Sequence, residues 1–180
     1  MRKLAVIVAT LATALLAGPA VAKVITGNGG ANVLRGTDAA DTIRGKGGRD
    51  RIDGRGGADR IYGGAKDDVI DGGAGNDRIS GGTGEDVVRS GDGNDRVNAG
   101  SGKDVLNGGR GNDRITGGTG GDSIAGGAGR DSIDGGKDND RIAARDGERD
   151  VIVCGTGKDD SVTADAADSV AGDCERVQRP

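Results

Sequence analysis

Histidine, tryptophan and phenylalanine are absent from this 180-residue chain, tyrosine and methionine occur once each, and proline and cysteine twice each. Without His, neither a Ser-His-Asp nor a Cys-His nucleophilic site can be assembled. An imidazole-held zinc is excluded with it. The single aromatic, Tyr62, offers no platform for stacked bases, and acidic residues outnumber basic ones by 29 to 25, so nucleic acid is not an expected partner. No glycine-rich turn ends in the Gly-Lys-Ser/Thr of a phosphate loop. Long apolar runs are missing too, except for Leu4 to Ala17. That run follows Arg2 and Lys3 and precedes Ala20-Val21-Ala22, so residues 1–22 read as a secretory signal peptide. It is short for a membrane span, and none is expected after its removal. The mature chain then starts at Lys23 and sets 23 basic residues against 29 acidic ones.

What the chain has in abundance is glycine, 39 residues, and charge, 30% of the sequence. Without order this composition would indicate disorder. The order is a period of nine. From Gly72 the chain reads GGAGNDRIS, GGTGEDVVR, SGDGNDRVN, AGSGKDVLN, GGRGNDRIT. Each block has Gly at its first or second place, Gly at the fourth, Asp at the sixth and an aliphatic at the eighth. Thirteen blocks run in register from Gly27 to Ala143. The first two are imperfect: Asn32 stands at an Asp place and Ala39 at a fourth-place Gly. Lys66 and Asp138 also replace that Gly, which puts their turns in question.

One aliphatic per nine residues fits neither an amphipathic helix nor a long alternating strand. It fits a six-residue turn followed by a three-residue strand, such as Arg78-Ile79-Ser80, with one side chain pointing inward. A single block cannot bury that residue, but stacked blocks can, which requires a solenoid. The expected architecture is all-β, a parallel β-roll with two repeats per coil. Leu34, Ile52, Ile70, Val88, Leu106, Ile124 and Ile142 then form one inward column, and Ile43, Ile61, Ile79, Val97, Ile115 and Ile133 the other. So thin a core cannot by itself offset the entropy of ordering the chain. The sixth-place Asp residues add a second difficulty. Stacked about 4.8 Å apart, two such charges repel by about 0.9 kcal/mol in water and about 3.5 at an effective dielectric of 20. A bound cation reverses that sign, and hard oxygen donors without His point to calcium rather than zinc.

The repeat G-G-x-G-x-D-x-U-x resembles that of the RTX-type, haemolysin-type calcium-binding proteins. The resemblance implies calcium between turns of adjacent coils, held by backbone carbonyls and the sixth-place carboxylates. Carried over by position, the ligands are Asp41, Asp50, Asp59, Asp68, Asp77, Asp86, Asp95, Asp104, Asp113, Asp122, Asp131 and Asp140. Turn-forming Asp without metal is the alternative, and it weighs most at Asp41. Larger relatives carry separate enzymatic or toxin domains, for which this chain has no room. The expectation is therefore a secreted, extracellular, non-enzymatic protein that binds multiple calcium ions and folds on binding. The alternative is a cell-surface adhesion or wall-associated module in which calcium is a structural staple.

The outward seventh places differ between the two faces of such a coil. One face carries Thr42, Arg60, Arg78, Arg96, Arg114 and Ser132, the other Val33, Arg51, Val69, Val87, Val105, Ser123 and Arg141. The arginines either form a solvated face that offsets nearby acids or engage an anionic cell-surface polymer. The valines are either ordinary strand formers or an interface. After the roll of residues 23–143 the register breaks. Residues 144–180 hold degenerate repeats, in which Asp150 and Asp160 each arrive one residue late, and a tail containing Cys154 and Cys174. In an exported chain two cysteines favour a disulfide over a redox or metal role. The segment resembles the cysteine-containing ends of some Sec-exported proteins of this type and reads as a cap over the last coil.

Overall fold

A computed structural model describes residues 20–180; the signal-peptide segment falls almost wholly outside the described residues. Among the described residues there is no helix, hence none long and apolar enough to cross a membrane. The chain winds into a β-roll of two nine-stranded parallel sheets.

The first sheet comprises β1 (Val24–Thr26), β3 (Thr42–Gly47), β5 (Arg60–Ala65), β7 (Arg78–Thr83), β9 (Arg96–Ser101), β11 (Arg114–Thr119), β13 (Ser132–Lys137), β15 (Val151–Thr156) and β17 (Ser169–Val170). The second comprises β2 (Val33–Arg35), β4 (Arg51–Asp53), β6 (Val69–Ala74), β8 (Val87–Asp92), β10 (Val105–Arg110), β12 (Ser123–Ala128), β14 (Arg141–Ala144), β16 (Ser161–Ala164) and β18 (Arg176–Gln178). Through the repeats each strand pairs with the one a full coil, eighteen residues, further on: Ile79 lies beside Val97 and Leu106 beside Ile124.

The eighth-place aliphatics fill the space between the sheets in the two expected columns. Ile61, Ile115 and Ile142 are wholly buried. β-Branched residues suit these positions because their restricted χ1 matches the pleated, half-buried strand. Both columns run beyond the repeats: Ile25 joins below Ile43, and Ile152 and Val162 carry the core past Ile142.

Two features depart from the sequence-based expectation. Most strands hold six residues rather than three, because ladder pairing continues through the following glycine pair, as at Gly82 with Gly100 and Thr83 with Ser101. The chain turns within this stretch because the second and fourth places take positive φ, for example 119° at Gly82 and 131° at Gly84. A Cβ at Gly93, where φ is 140°, would lie 2.0 Å from the Gly75 carbonyl oxygen of the coil below, so glycine there is a steric requirement. The questioned turns at Lys66 and Asp138 nevertheless keep the same form, at φ 79° and 75°. Lys46 and Arg55, at second places, do likewise.

Nor does the register break end the sheets. Ile133 pairs with Ile152 nineteen residues on, and Ile142 with Val162 twenty residues on. The surplus residues bulge out between β14 and β15 and between β15 and β16. The Cys154–Cys174 disulfide ties the last turn of chain to β15, with the Cys154 side chain buried in the core.

Candidate metal centre

The sixth-place aspartates form two interior rows, one along each edge of the roll. Their carboxylates are buried although the residues lie at the ends of turns. In each row Oδ1 accepts the backbone N–H of the Asp one coil earlier. Asp59 N–H donates to Asp77 Oδ1 at 2.8 Å and Asp77 N–H to Asp95 Oδ1 at 2.7 Å. The parallel row runs from Asp50 and Asp68 through Asp86 and Asp104 in the same way, at 2.8 Å each.

The second oxygen has no such partner. Among the described residues, thirteen buried Oδ2 atoms have no hydrogen-bond donor: those of Asp50 through Asp140 in the repeats, and those of Asp150 and Asp160. A buried carboxylate oxygen without a donor is costly, and here the cost recurs in every coil. Where the first place of the repeat is glycine, Oδ2 sits close to it, and in most of these repeats a carbonyl oxygen one coil on lies close to the same glycine. A methyl group added at Gly72 would lie 2.7 Å from Asp77 Oδ2 and 2.5 Å from the Ser90 carbonyl oxygen. Buried carboxylate and carbonyl oxygens, stacked at strand spacing, are the hard donors that calcium takes.

Burial pushes the carboxyls of the rows from Asp59 through Asp160 up, and nearby acids push further, against the lowering effect of the N–H donors. Asp77, Asp113 and Asp122 are raised to about 7. Asp68, Asp86, Asp140 and Asp150 are raised to about 6. The rows thus resist ionisation unless a cation neutralises them.

The ends of the rows differ from the middle. Asn32 begins one row, its N–H and its Nδ2 both donating to Asp50 Oδ1 at 2.8 and 2.9 Å. Asp41 begins the other and has no free oxygen. Oδ1 accepts Lys23 N–H at 2.5 Å, and Oδ2 accepts the Thr37 N–H at 2.6 Å and its hydroxyl at 2.9 Å. Burial would raise Asp41, but these donors outweigh it and hold the carboxyl below its usual value. At the far end Asp168 accepts Asp150 N–H at 3.0 Å and Asp165 N–H at 2.6 Å, and Glu175 accepts Asp160 N–H at 2.9 Å.

Of the twelve carboxylates chosen from the sequence, eleven therefore share one environment and Asp41 does not. Asp150 and Asp160 share it and were not chosen. Asp131 N–H donates to Asp150 Oδ1 at 2.8 Å, and Asp140 N–H to Asp160 Oδ1 at 2.7 Å. The signal for them was present in the Asp-x-aliphatic triplets Asp150-Val151-Ile152 and Asp160-Ser161-Val162.

The family model of the RTX calcium-binding nonapeptide repeat (4 copies) matches residues 26–61, 53–88, 80–115, 89–124 and 116–149, well over half the chain. The chain belongs to the RTX calcium-binding repeat family. The comparison with curated proteins found no match. The RTX match ends at residue 149, whereas the rows of buried RTX-like aspartates go on to Asp160.

Proposed function

We propose that this chain is an exported, non-enzymatic RTX protein whose roll folds when calcium binds along both aspartate rows. The observation that carries this reading is the run of buried, donor-free Oδ2 atoms. An empty roll holds them at a cost that a divalent cation between successive turns removes. The side chains that hold calcium are Asp50, Asp59, Asp68, Asp77, Asp86, Asp95, Asp104, Asp113, Asp122, Asp131 and Asp140, joined by Asp150 and Asp160. Bound calcium supplies positive charge to the rows and links one coil to the next. Because the ion binds the folded state in preference to the unfolded one, it drives folding. Export by the leader at residues 1–22 delivers the chain to the extracellular side, where calcium is plentiful and a disulfide persists.

The test is far-UV circular dichroism of residues 23–180 during a calcium titration, with magnesium as control. A cooperative change from coil to β signal with calcium alone is expected. A full β signal in chelator, unmoved by calcium, would overturn the reading.

One observation favours a second role, that of a surface or wall-associated module binding an anionic polymer. The arginine row of the first sheet has no acidic partners: Arg60, Arg78, Arg96 and Arg114 form no ion pair among the described residues, so they do not offset nearby acids by contact.

A further inference from the structure

The two outer faces of the roll are charged in different ways. On the second sheet Arg35, Asp53, Asp71 and Arg89 lie side by side on β2, β4, β6 and β8, and Arg35 Nε pairs with Asp53 at 3.0 Å. Acids and bases are mixed there. The valines of that face are broken by Arg51, and Val33 and Val105 stand exposed with nothing to show what would cover them.

On the first sheet, Arg60, Arg78, Arg96 and Arg114 lie side by side on β5, β7, β9 and β11, all exposed. Neighbouring strands are about 4.8 Å apart, so four like charges follow one another at the spacing of a single coil. None of the four guanidinium groups donates a hydrogen bond or an ion pair within the described residues. Two places along the same strands stands a second in-register row: Tyr62, Ser80, Asn98 and Thr116, all uncharged hydrogen-bonding side chains. Arg44 precedes Tyr62 in this second row, and its guanidinium lies 5.4 Å from the Tyr62 ring centroid.

On the turn side Asn76, Asn94 and Asn112 make a third row. Asn76 Oδ1 accepts Asn94 N–H and Asn94 Oδ1 accepts Asn112 N–H, both at 2.7 Å. This fixes the amides, on exposed residues, and leaves their NH2 groups without an acceptor among the described residues. An open groove runs between this row and Arg78, Arg96 and Arg114. Asp95 is the one carboxylate on its wall; it is buried, and its Oδ1 is already engaged by Asp77 N–H.

Three parallel rows with one repeat are complementary to a polymer that is itself regular. The guanidinium fork takes a carboxylate through two hydrogen bonds. Hydroxyl and amide rows match sugar hydroxyls, and the coil spacing is close to the length of one pyranose in an extended chain. Stacked bases would need an aromatic on each coil, and only Tyr62 is present. We propose that the outer face of β5, β7, β9 and β11 binds a linear acidic polysaccharide lying along the roll axis, with Arg60, Arg78, Arg96 and Arg114 taking its carboxylates and Ser80, Asn98 and Thr116 its hydroxyls. The proposal deepens the second role above and rests on the roll being folded, as it is with calcium bound.

The test uses the full chain in calcium buffer and isothermal titration with oligogalacturonate chains too short to gel with calcium. Neutral dextran oligomers and a single-stranded oligonucleotide serve as comparison ligands. Arg78→Ser/Arg96→Ser is expected to weaken oligogalacturonate binding roughly tenfold or more, since two charged forks are lost. Arg78→Lys/Arg96→Lys keeps the charge but not the fork and should fall between. Arg51→Ser/Arg89→Ser, on the opposite face, should leave binding unchanged. Equal binding by the wild type and the Arg78→Ser/Arg96→Ser protein, or no binding by either, overturns the proposal. So does a preference for the oligonucleotide that this substitution abolishes. Circular dichroism of the same samples reports folding separately, so failure of calcium-dependent folding and failure of docking give different results.

Discussion

The backbone N–H of Asp77 donates to Oδ1 of Asp95 at 2.7 Å, and Oδ2 of that same Asp95 has no donor. One carboxylate thus does two things at once: it fixes the register of its coil on the preceding one and presents a bare oxygen to whatever lies between the turns. Repeated along two rows, this division of labour couples coil stacking to the proposed cation binding.

The pH response of the metal-free chain follows from this. Asp77, Asp113 and Asp122 are raised to about 7 in the roll, whereas the unfolded chain titrates near the ordinary 3.8. A folded carboxyl raised above its unfolded value stabilises the fold below the unfolded pKa, and that stabilisation is lost as pH rises through the folded pKa. Calcium-stripped protein should therefore show more β signal at pH 5 than at pH 8. The calcium midpoint should move the other way and need more ion at pH 5, because protons compete for the same oxygens. Circular dichroism across pH, with and without calcium, checks both slopes.

Asp150→Asn and Asp160→Asn should each reduce the number of calcium ions held per chain by at least one and leave the central coils folded. Equilibrium dialysis, or native mass spectrometry of the loaded protein, counts the ions. Asp41→Asn is the control: both oxygens of Asp41 are already bonded, so the count should not change.

Lys66 holds a φ of 79° at a place where most repeats have glycine. The left-handed region costs an L-residue about 1–2 kcal/mol, partly offset by the greater freedom of glycine in the unfolded chain. Lys66→Gly should stabilise the loaded roll by up to about 1 kcal/mol. Gly93→Ala should destabilise it by about 2 kcal/mol or more, because the new Cβ meets a backbone oxygen that cannot swing away. Chemical denaturation in saturating calcium measures both.

Reducing the Cys154–Cys174 bridge, whose cysteines are 20 residues apart, should cost about 3 kcal/mol in the chain-entropy model. The loss should appear first as faster amide exchange in β17 and β18, which the bridge ties to the core. Hydrogen exchange with and without reductant would show it, and uniform loss of protection throughout the roll would contradict it.

Cleavage after Ala22, as proposed above, turns the Lys23 N–H into an α-ammonium 2.5 Å from Asp41 Oδ1. The processed chain should then be more heat-resistant than one retaining extra residues before Lys23. The advantage should fade as pH rises above the usual α-amino range near 8, because the folded ammonium is the better bonded form. Calorimetry of the two chains at pH 6 and pH 9 decides it.

The architecture was legible from the period because one aliphatic per nine residues leaves a chain few other ways to bury apolar surface. The length of the strands was not, since Gly81-Gly82 looks like a turn, and only the coil on either side shows that it is paired. Asp41 already stood apart in the sequence, where the metal-free reading weighed most because its repeat is imperfect, but the sequence did not show why. What sets it apart is Thr37, whose hydroxyl stands where most repeats have a second-place glycine or a long basic side chain. Asp150 and Asp160 were hidden by arithmetic. Coils of nineteen and twenty residues put them out of phase with the count, while a bulge restores them in space.

Because each coil is held to the next by the same parallel ladder, tension applied along the roll axis falls on one junction at a time. The coil at the end is the one that gives way. The N-terminal coil rests on three-residue strands without a covalent bond to the next, whereas the C-terminal one is closed by Cys154 and Cys174. Unravelling under force therefore has a direction. Each eighteen-residue coil set free lengthens the chain by roughly 60 Å, at about 3.3–3.6 Å per residue. Attached to a surface by the arginine face and pulled from its first residue, the molecule would pay out slack in even steps rather than let go at once.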